Sequence, residues 1–323
     1  MTAISAPSDA LAVPARPGPE PLPPTSLIIC TRDRPALLSD TLTSVLGGDE
    51  RPAEIVVVDQ SAPSVPLTPH MPLTSGEQPH EPGACQIRHV PSTTAGLCRA
   101  RNIGIAHARF DHLIFIDDDM FVAQDWFGTL VRALITGGER TVVTGRVLPA
   151  DESQRGGFVP SLALSTQPRV YTGRLMTDVL AAGHMALHRS VVRALGPFDE
   201  DLGAGTRFPA SDDNDYGYRL LEEGYHIRYV PEAVLFHRAW RRTGDYWRMR
   251  WSYGRGKGGF YTKHMRSHGG HMLRRLISDV SLRLVRFPWR FIHRPRLALG
   301  DLPYVAGVLS GAVDWTWIHR KAK

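Results

Sequence analysis

The chain is 323 residues long, 42% hydrophobic and 22% charged, the balance of a globular protein, which excludes disorder over most of its length. Its three cysteines, Cys30, Cys85 and Cys98, are odd in number and lack C-x-x-C spacing. They argue against a disulfide framework and a zinc site and fit a reducing compartment, so a cytoplasmic location is expected. The net charge of +6 conceals an asymmetry: Arg238 to Lys323 hold 19 Lys/Arg against 4 Asp/Glu, a net +15, which leaves the preceding residues at −9. A solvated surface normally mixes both signs, so an acidic body with a basic tail asks for a functional account.

Residues 1–24 are rich in Pro, Ala and Ser without apolar periodicity and are predicted to be a disordered leader. With no basic start before a long apolar run, they do not read as a signal peptide. Leu27 to Cys30 form a continuous apolar run, the pattern of a strand covered on both faces. Asp33 is expected to cap the next helix, with Pro35 in its first turn, a stripe through Leu38, Leu42 and Val45, and a stop at Gly47-Gly48. Glu54 to Asp59 is a second buried strand, so the rhythm is βαβ and the sheet parallel. Gln60 to Cys85, rich in Pro, reads as a long irregular loop. A brief strand over 87–90, a helix over 97–108 and a strand over 112–116 follow. The pattern then predicts a helix over 124–134 and a strand over 141–147. The second half predicts helices over 190–195 and 213–223, then strands over 227–230 and 234–236 that end at His237.

Two acidic clusters carry the chemical interest. Asp117-Asp118-Asp119 follow a buried strand, where carboxylates are expensive unless something positive sits beside them. Ligands bind beyond the carboxyl ends of strands in open α/β sheets, and Thr31, Arg32 and Asp59 lie at such ends too. A divalent cation bridging carboxylate and diphosphate would account for the cluster, since Mg²⁺ and Mn²⁺ favour hard oxygen ligands. The plainer alternative is a set of turn and capping carboxylates. Ser211-Asp212-Asp213-Asn214-Asp215 open a helix; the macrodipole explains one or two acids there, and a general base is the alternative for another. Arg99 and Arg101, after Gly96, could hold phosphate oxygens or simply form a basic helix face. His237 is either a metal ligand or a buried, hydrogen-bonded histidine.

Taken in order, these pieces resemble the family 2 glycosyltransferases of GT-A fold. The matching segments are residues 26–32 (SLIICTR), 55–59 (IVVVD), 96–104 (GLCRARNIG), 115–119 (FIDDD), 183–186 (GHMA), 196–199 (GPFD), 211–220 and 231–237 (PEAVLFH). The resemblance implies an α/β fold of GT-A type, a Rossmann-like, mostly parallel central sheet flanked by helices. It implies a catalytic domain over 25–240, with a basic amphipathic helical extension over 241–323. It also implies an inverting transferase that moves a sugar from a nucleotide-diphosphate donor to an acceptor hydroxyl. On that pattern Thr31, Arg32, Asp59, Arg101, Asp117 and Asp118 would bind the donor. Asp119 and His237 would hold a divalent metal, Mn²⁺ or Mg²⁺. Gly183, His184 and Asp212 would line the sugar or acceptor pocket, and Asp213 would be the catalytic base. The family's frequency favours a UDP-linked donor, with GDP and dTDP open, and the acceptor would be a glycan, a lipid-linked group or a small molecule. His184 stands where many relatives carry Asn, and Asp212 where many carry Glu.

The tail interleaves Arg274, Arg275, Arg283, Arg286, Arg290, Arg294 and Arg296 with Leu, Ile, Trp and Phe. Such a segment suits the surface of an anionic membrane, giving a peripheral protein at the inner face of the cell membrane. The alternative is a helical cap on the catalytic domain with its arginines exposed. Two other functions compete: a sugar nucleotidyltransferase, whose Gly-rich loop after the first strand is missing here, and a nucleic-acid-binding protein with a basic tail. No nucleic acid partner is expected.

Overall fold

The computed structural model describes residues 21–62, 85–150, 157–238 and 241–320. Most of the predicted leader and of the Pro-rich loop therefore lies outside the described residues. The first half alternates strand and helix: β1 (Thr25–Thr31), α1 (Pro35–Leu46), β2 (Glu54–Asp59), β3 (Gln86–Pro91), α2 (Leu97–His107), β4 (His112–Asp117), β5 (Met120–Val122), α3 (Trp126–Gly137) and β6 (Thr141–Pro149). The second half adds β7 (Gly157–Phe158), β8 (Arg169–Tyr171), β9 (His184–His188), α4 (Arg189–Leu195), α5 (Asp212–Glu222), β10 (His226–His237) and β11 (Arg241–Arg242). Two long helices follow, α6 (Tyr246–His293) and α7 (Pro295–Arg320).

The main sheet runs β3-β2-β1-β4-β9-β6-β10-β5, with β8 also on β10. Strands β3, β2, β1 and β4 are mutually parallel, as are β6 and β10; β9, β5 and β8 run antiparallel to their neighbours. Alternate residues of each buried strand feed opposite layers. Leu27, Ile29, Ile55 and Val57 pack with Leu38 and Leu42 of α1 and Leu130 of α3. Ile28, Val56, Val58 and Phe115 pack with Ile105 of α2, Val191 of α4 and Tyr216 of α5. Chain order reverses between β1 and β4, the switch point beyond which an open α/β sheet leaves a crevice.

Two expectations are corrected and one boundary shifts. Arg34, not Asp33, is the N-cap of α1, and no side chain caps it; Asp33 sits at φ +56° with its N–H donating to Ser61 Oγ. The two strands predicted over 227–236 are one, β10, whose register against β6 shifts between Val230 and Val234. The helix expected from residue 124 starts at Trp126. Strands β5, β8 and β9 had no recognisable signal, being three to five residues long without a clean alternation.

Helix α6 kinks at His268, ahead of Gly269-Gly270, into two limbs: the first runs parallel to α7, and the second runs antiparallel to it and forms the α6–α7 hairpin. The first limb and α7 meet through glycines four apart on each, Gly254 and Gly258 against Gly307 and Gly311. A Cβ on Gly258 would lie 2.2 Å from the Val308 carbonyl oxygen, and one on Gly311 2.2 Å from that of Arg255. These helices are pinned to the body by Phe260, Tyr261 and Val308 against Tyr218 of α5, and by Trp315 against Leu202 and Phe208. Asp215 of α5 is buried and accepts from His264 Nε2 at 2.7 Å, beside Lys263 Nζ at 2.6 Å and Arg219 Nε at 3.0 Å. These partners outweigh its burial and hold its carboxyl far below the usual range.

Candidate functional site

Parallel register brings the strand ends together: Thr31 pairs with Asp59, and Cys30 with Asp117. The chain leaves β4 through Asp118 and Asp119 into β5, and the antiparallel pairing of β5 with β10 sets Met120 opposite His237. A residue far away in sequence is thereby delivered beside Asp119, with His237 Nε2 3.4 Å from Asp119 Oδ1. The Pro160 carbonyl faces Nδ1 of the same ring at 3.2 Å. Burial alone would raise the Asp119 carboxyl, but His237 and Arg34 outweigh it and hold it below the usual range. Asp119 in turn raises His237 against the opposing effect of burial.

The three aspartates do different things. Asp118 is buried and accepts from Thr31 Oγ1 at 2.7 Å and Arg34 Nη1 at 3.2 Å, and burial pushes its carboxyl up to about 6. Arg34 also reaches Asp119 Oδ2 at 3.2 Å. Asp117 faces the buried guanidinium of Arg101, which contacts Asp117 Oδ1 at 3.3 Å and Asp212 Oδ2 at 2.5 Å. Arg101 thus joins β4 to the first turn of α5. Gly183 leaves room for this arrangement, since a Cβ there would fall 2.2 Å from Asp117 Oδ2.

Two adjoining recesses open here, sharing Asp117, His237 and Tyr253. One, about 420 Å³, is lined by Thr31, Arg32, Arg34, Gln60, Asp118 and Asp119. The other, about 410 Å³, is lined by Arg101, Gly183, Asp212, Asp213 and Lys257. Asp119 and Asp213 therefore belong to one continuous cleft. Asp213 is half-buried, and its Oδ1 accepts from the Asn214 N–H at 2.8 Å. Burial, then the charges of Asp212 and Asp178, push its carboxyl up to about 7, against the opposing charge of Lys257.

Two predicted residues stand apart from the cleft. His184 is fully buried, lines neither recess, and its Nε2 accepts from the Trp126 indole at 2.9 Å. Burial lowers its pKa to about 3, so the ring is neutral. Its expected place in the sugar pocket is corrected: β9 alternates, and the backbone reaches the cleft at Gly183 while the next side chain enters the core. Asp59 is also withdrawn, accepting from the Ser61 hydroxyl at 2.5 Å and facing His89 Nε2 at 3.1 Å, and Gln60 lines the recess instead.

Sequence reasoning missed Arg34, Gln60, Tyr253 and Lys257. Gln60 clamps the turn at Gly96, donating to the Thr94 carbonyl at 2.7 Å and accepting from the Gly96 N–H at 3.2 Å. Its position after Asp59 was the one available hint. Tyr253 and Lys257 come from α6, and nothing local to that helix announces a cleft. The basic tail also divides: Arg275 and Arg283 turn inward to Asp178 and Asp301, at 2.7 and 2.9 Å, while Arg274, Arg286 and Arg294 are exposed. The Asp119–His237 pair converges as two donors to a cation would. Among the described residues no group of three or more His, Cys, Asp or Glu is gathered to hold one.

Residues 26–196 match the sequence profile of Glycosyl transferase family 2. The chain is 23% identical over 246 residues to the chondroitin synthase of Pasteurella multocida (strain Pm70), covering 66% of this chain and 24% of that protein. It is 24% identical over 157 residues to a pre-mycofactocin glycosyltransferase of Mycobacterium tuberculosis, covering 47% of this chain and 32% of the relative. The match thus spans less than a third of these two curated relatives. Among solved structures, the mannosyltransferase PcManGT from Pyrobaculum calidifontis, in complex with GDP-Man and Mn²⁺, superposes with a TM-score of 0.60 at 17% identity, covering 94% of this chain and 90% of that one. Residues 1–349 of TarS from S. aureus give a TM-score of 0.51 at 13% identity, covering 93% and 92%.

Proposed function

The chain belongs to glycosyl transferase family 2, and from that premise we propose that it is an inverting transferase that moves a sugar from a nucleoside-diphosphate donor to an acceptor hydroxyl. The observation that carries this reading is the position of Asp213, a half-buried carboxyl raised to about 7, on the recess adjoining the one lined by Thr31, Arg32 and Asp119. A base is most useful with a pKa near the working pH.

In this reading the nucleotide lies in the recess lined by Thr31, Arg32, Arg34 and Gln60, and the sugar in the recess beside Gly183 and Asp213. Asp213 takes the proton from the acceptor hydroxyl. The acceptor oxygen forms a bond to the anomeric carbon as the bond to the diphosphate oxygen breaks, and the nucleoside diphosphate leaves. A single displacement inverts the anomeric centre, and no covalent nucleophile is required. Buried Arg101 neutralises Asp117 and Asp212, which keeps repulsion off an anionic donor. Asp119 and His237 suit a divalent cation of the Mn²⁺ or Mg²⁺ kind. Such an ion takes few protein ligands and completes its shell with phosphate oxygens and water, and it would supply charge neutralisation at the leaving diphosphate. The mannosyltransferase of similar fold was solved with GDP-Man and Mn²⁺, so GDP joins UDP in the donor set to be tested.

The test pairs two variants across a panel of nucleoside diphosphates with Mn²⁺. Asp119→Ala should lose the metal-dependent rise in melting temperature, since a ligand that binds only the native state stabilises it. Asp213→Asn should keep that rise and lose transfer by on the order of 10²–10⁴-fold. Transfer that survives Asp213→Asn, or a product with retained anomeric configuration, would refute the assignment.

A further inference from the structure

Among the described residues, 14 of the 20 exposed large apolar side chains fall between Leu273 and Trp317, on the second limb of α6 and on α7. They are ordered into stripes. On α6, Leu273, Ile277, Leu284 and Phe291 recur at spacings of four and seven, one side of a helix, with Val285 and Ile292 next to them at 76% exposure each. On α7, Leu302, Leu309, Val313 and Trp317 recur the same way. The opposite side of α7, bearing Tyr304, Gly307, Val308 and Gly311, is the one buried against α6 and the body. The hairpin is therefore apolar on both sides, with only one side accounted for by packing.

Charge narrows the occupant of the other side. The acidic residues of the hairpin, Asp279, Asp301 and Asp314, are engaged by arginines: Asp279 by Arg283, Asp301 by Arg250, Arg283 and Arg290, and Asp314 by Arg255 and Arg207. Arg274, Arg286 and Arg294 are exposed and make no ion pair among the described residues. An exposed apolar surface with uncompensated guanidiniums and no available carboxylate would meet like charge on a second copy of itself. It is complementary to a surface that is apolar beneath and anionic above. No helix among the described residues is long and apolar enough to cross a membrane, and the buried face of the hairpin is occupied by the body, so the segment would lie on such a surface rather than span it.

We infer that the outer face of the α6–α7 hairpin, from Leu273 to Trp317, docks on an anionic lipid bilayer, with Leu284, Val285, Trp289 and Ile292 entering the acyl boundary and Arg274, Arg286 and Arg294 meeting headgroup phosphates. The inner side of α7 supplies Tyr304 to the cleft, and the first limb of α6 packed on α7 supplies Tyr253 and Lys257, so docking sets the cleft beside the bilayer. This inference does not depend on the chemistry proposed for Asp213.

Full-length protein is mixed with unilamellar vesicles of phosphatidylcholine alone or with one quarter phosphatidylglycerol, and the pelleted fraction is measured. The protein should pellet with the anionic vesicles, only weakly with the neutral ones, and less as salt is raised. Val285→Glu/Ile292→Glu should lower the partition coefficient by at least about tenfold. Arg274→Ala/Arg286→Ala/Arg294→Ala should lower it on the order of a hundredfold. Both variants should retain the wild-type melting temperature, because these side chains are exposed. Absence of pelleting, or pelleting that both variants leave unchanged, overturns the inference. So does a wild-type dimer that the Glu variant turns into monomer without any vesicle binding, or salt-sensitive binding of an RNA or DNA oligonucleotide in place of vesicles.

Discussion

At the residue scale, neighbouring side chains of one type have been given separate tasks. In the run Asp117-Asp118-Asp119, Asp118 is committed to Thr31 and Arg34, Asp117 faces Arg101, and Asp119 faces His237. In the run from Asp212, the first acid meets Arg101, the second lines the recess and Asp215 fastens α5 to α6. His184 teaches the same lesson in reverse: a residue inside a matching motif is a core group. Replacing it with Leu should leave transfer within a few-fold of wild type. The change should cost about 1–3 kcal/mol, because the buried Trp126 indole N–H loses its acceptor. The pH dependence has a definite sign. The folded pKa of about 3 lies below the ordinary 6.5, so the unfolded chain takes up a proton between those values while the native ring does not. His184 therefore withdraws stability as pH falls below 6.5, at about 1.4 kcal/mol per pH unit. Urea denaturation of wild type and His184→Leu at pH 7 and pH 5.5 should show a shallower loss in the variant; equal slopes would contradict a neutral buried ring.

At the element scale, what the sequence disclosed depended on how each segment is buried. Strands β1, β2 and β4 lie between two layers of helices, so they read as unbroken apolar runs, and α1 and α3 carry a one-sided stripe. Strand β9 is equally buried but sits between Gly183 and the start of α4, too short for a period to emerge, and β5 is defined by its pairing with β10. The glycines of α6 and α7 were visible, yet their meaning was not: helix interiors disfavour glycine, and close approach of two backbones is what makes the spacing favourable. Gly258→Leu would push a side chain into the Val308 carbonyl and force α7 away from the first limb of α6, costing about 3 kcal/mol or more. Thermal melts should show the drop. An unchanged melting temperature would mean that the helices do not meet at these glycines.

At the scale of the whole molecule, the cleft is assembled by two parts with opposite charge, an acidic α/β body and a basic hairpin. The family profile ends at residue 196, yet Asp213, His237, Tyr253 and Lys257 all lie beyond it and all line the cleft. Lys257 is tied to Asp178 and opposes the rise in the Asp213 carboxyl. Lys257→Met should therefore let that carboxyl rise further. In the proposed mechanism Asp213 must be ionised to accept a proton, so the acid limb of the kcat profile should move to higher pH, with slower turnover at pH 7 and recovery at pH 8.5. A uniform loss across pH would assign Lys257 to substrate binding alone.

The amino-acid sequence by itself determined the layered α/β architecture, the strand ends at which Thr31, Asp59 and Asp117 gather, and the two acidic runs that mark the cleft. Those are local facts: hydrophobic period and the position of a charge after a buried strand are written within a dozen residues. Only the tertiary structure decided which side chain of each run faces the cleft, that His237 meets Asp119, that His184 belongs to the core, and that a helix far down the chain forms one wall. Each of these depends on register or on packing between distant segments, where one residue of slip turns a side chain to the other face.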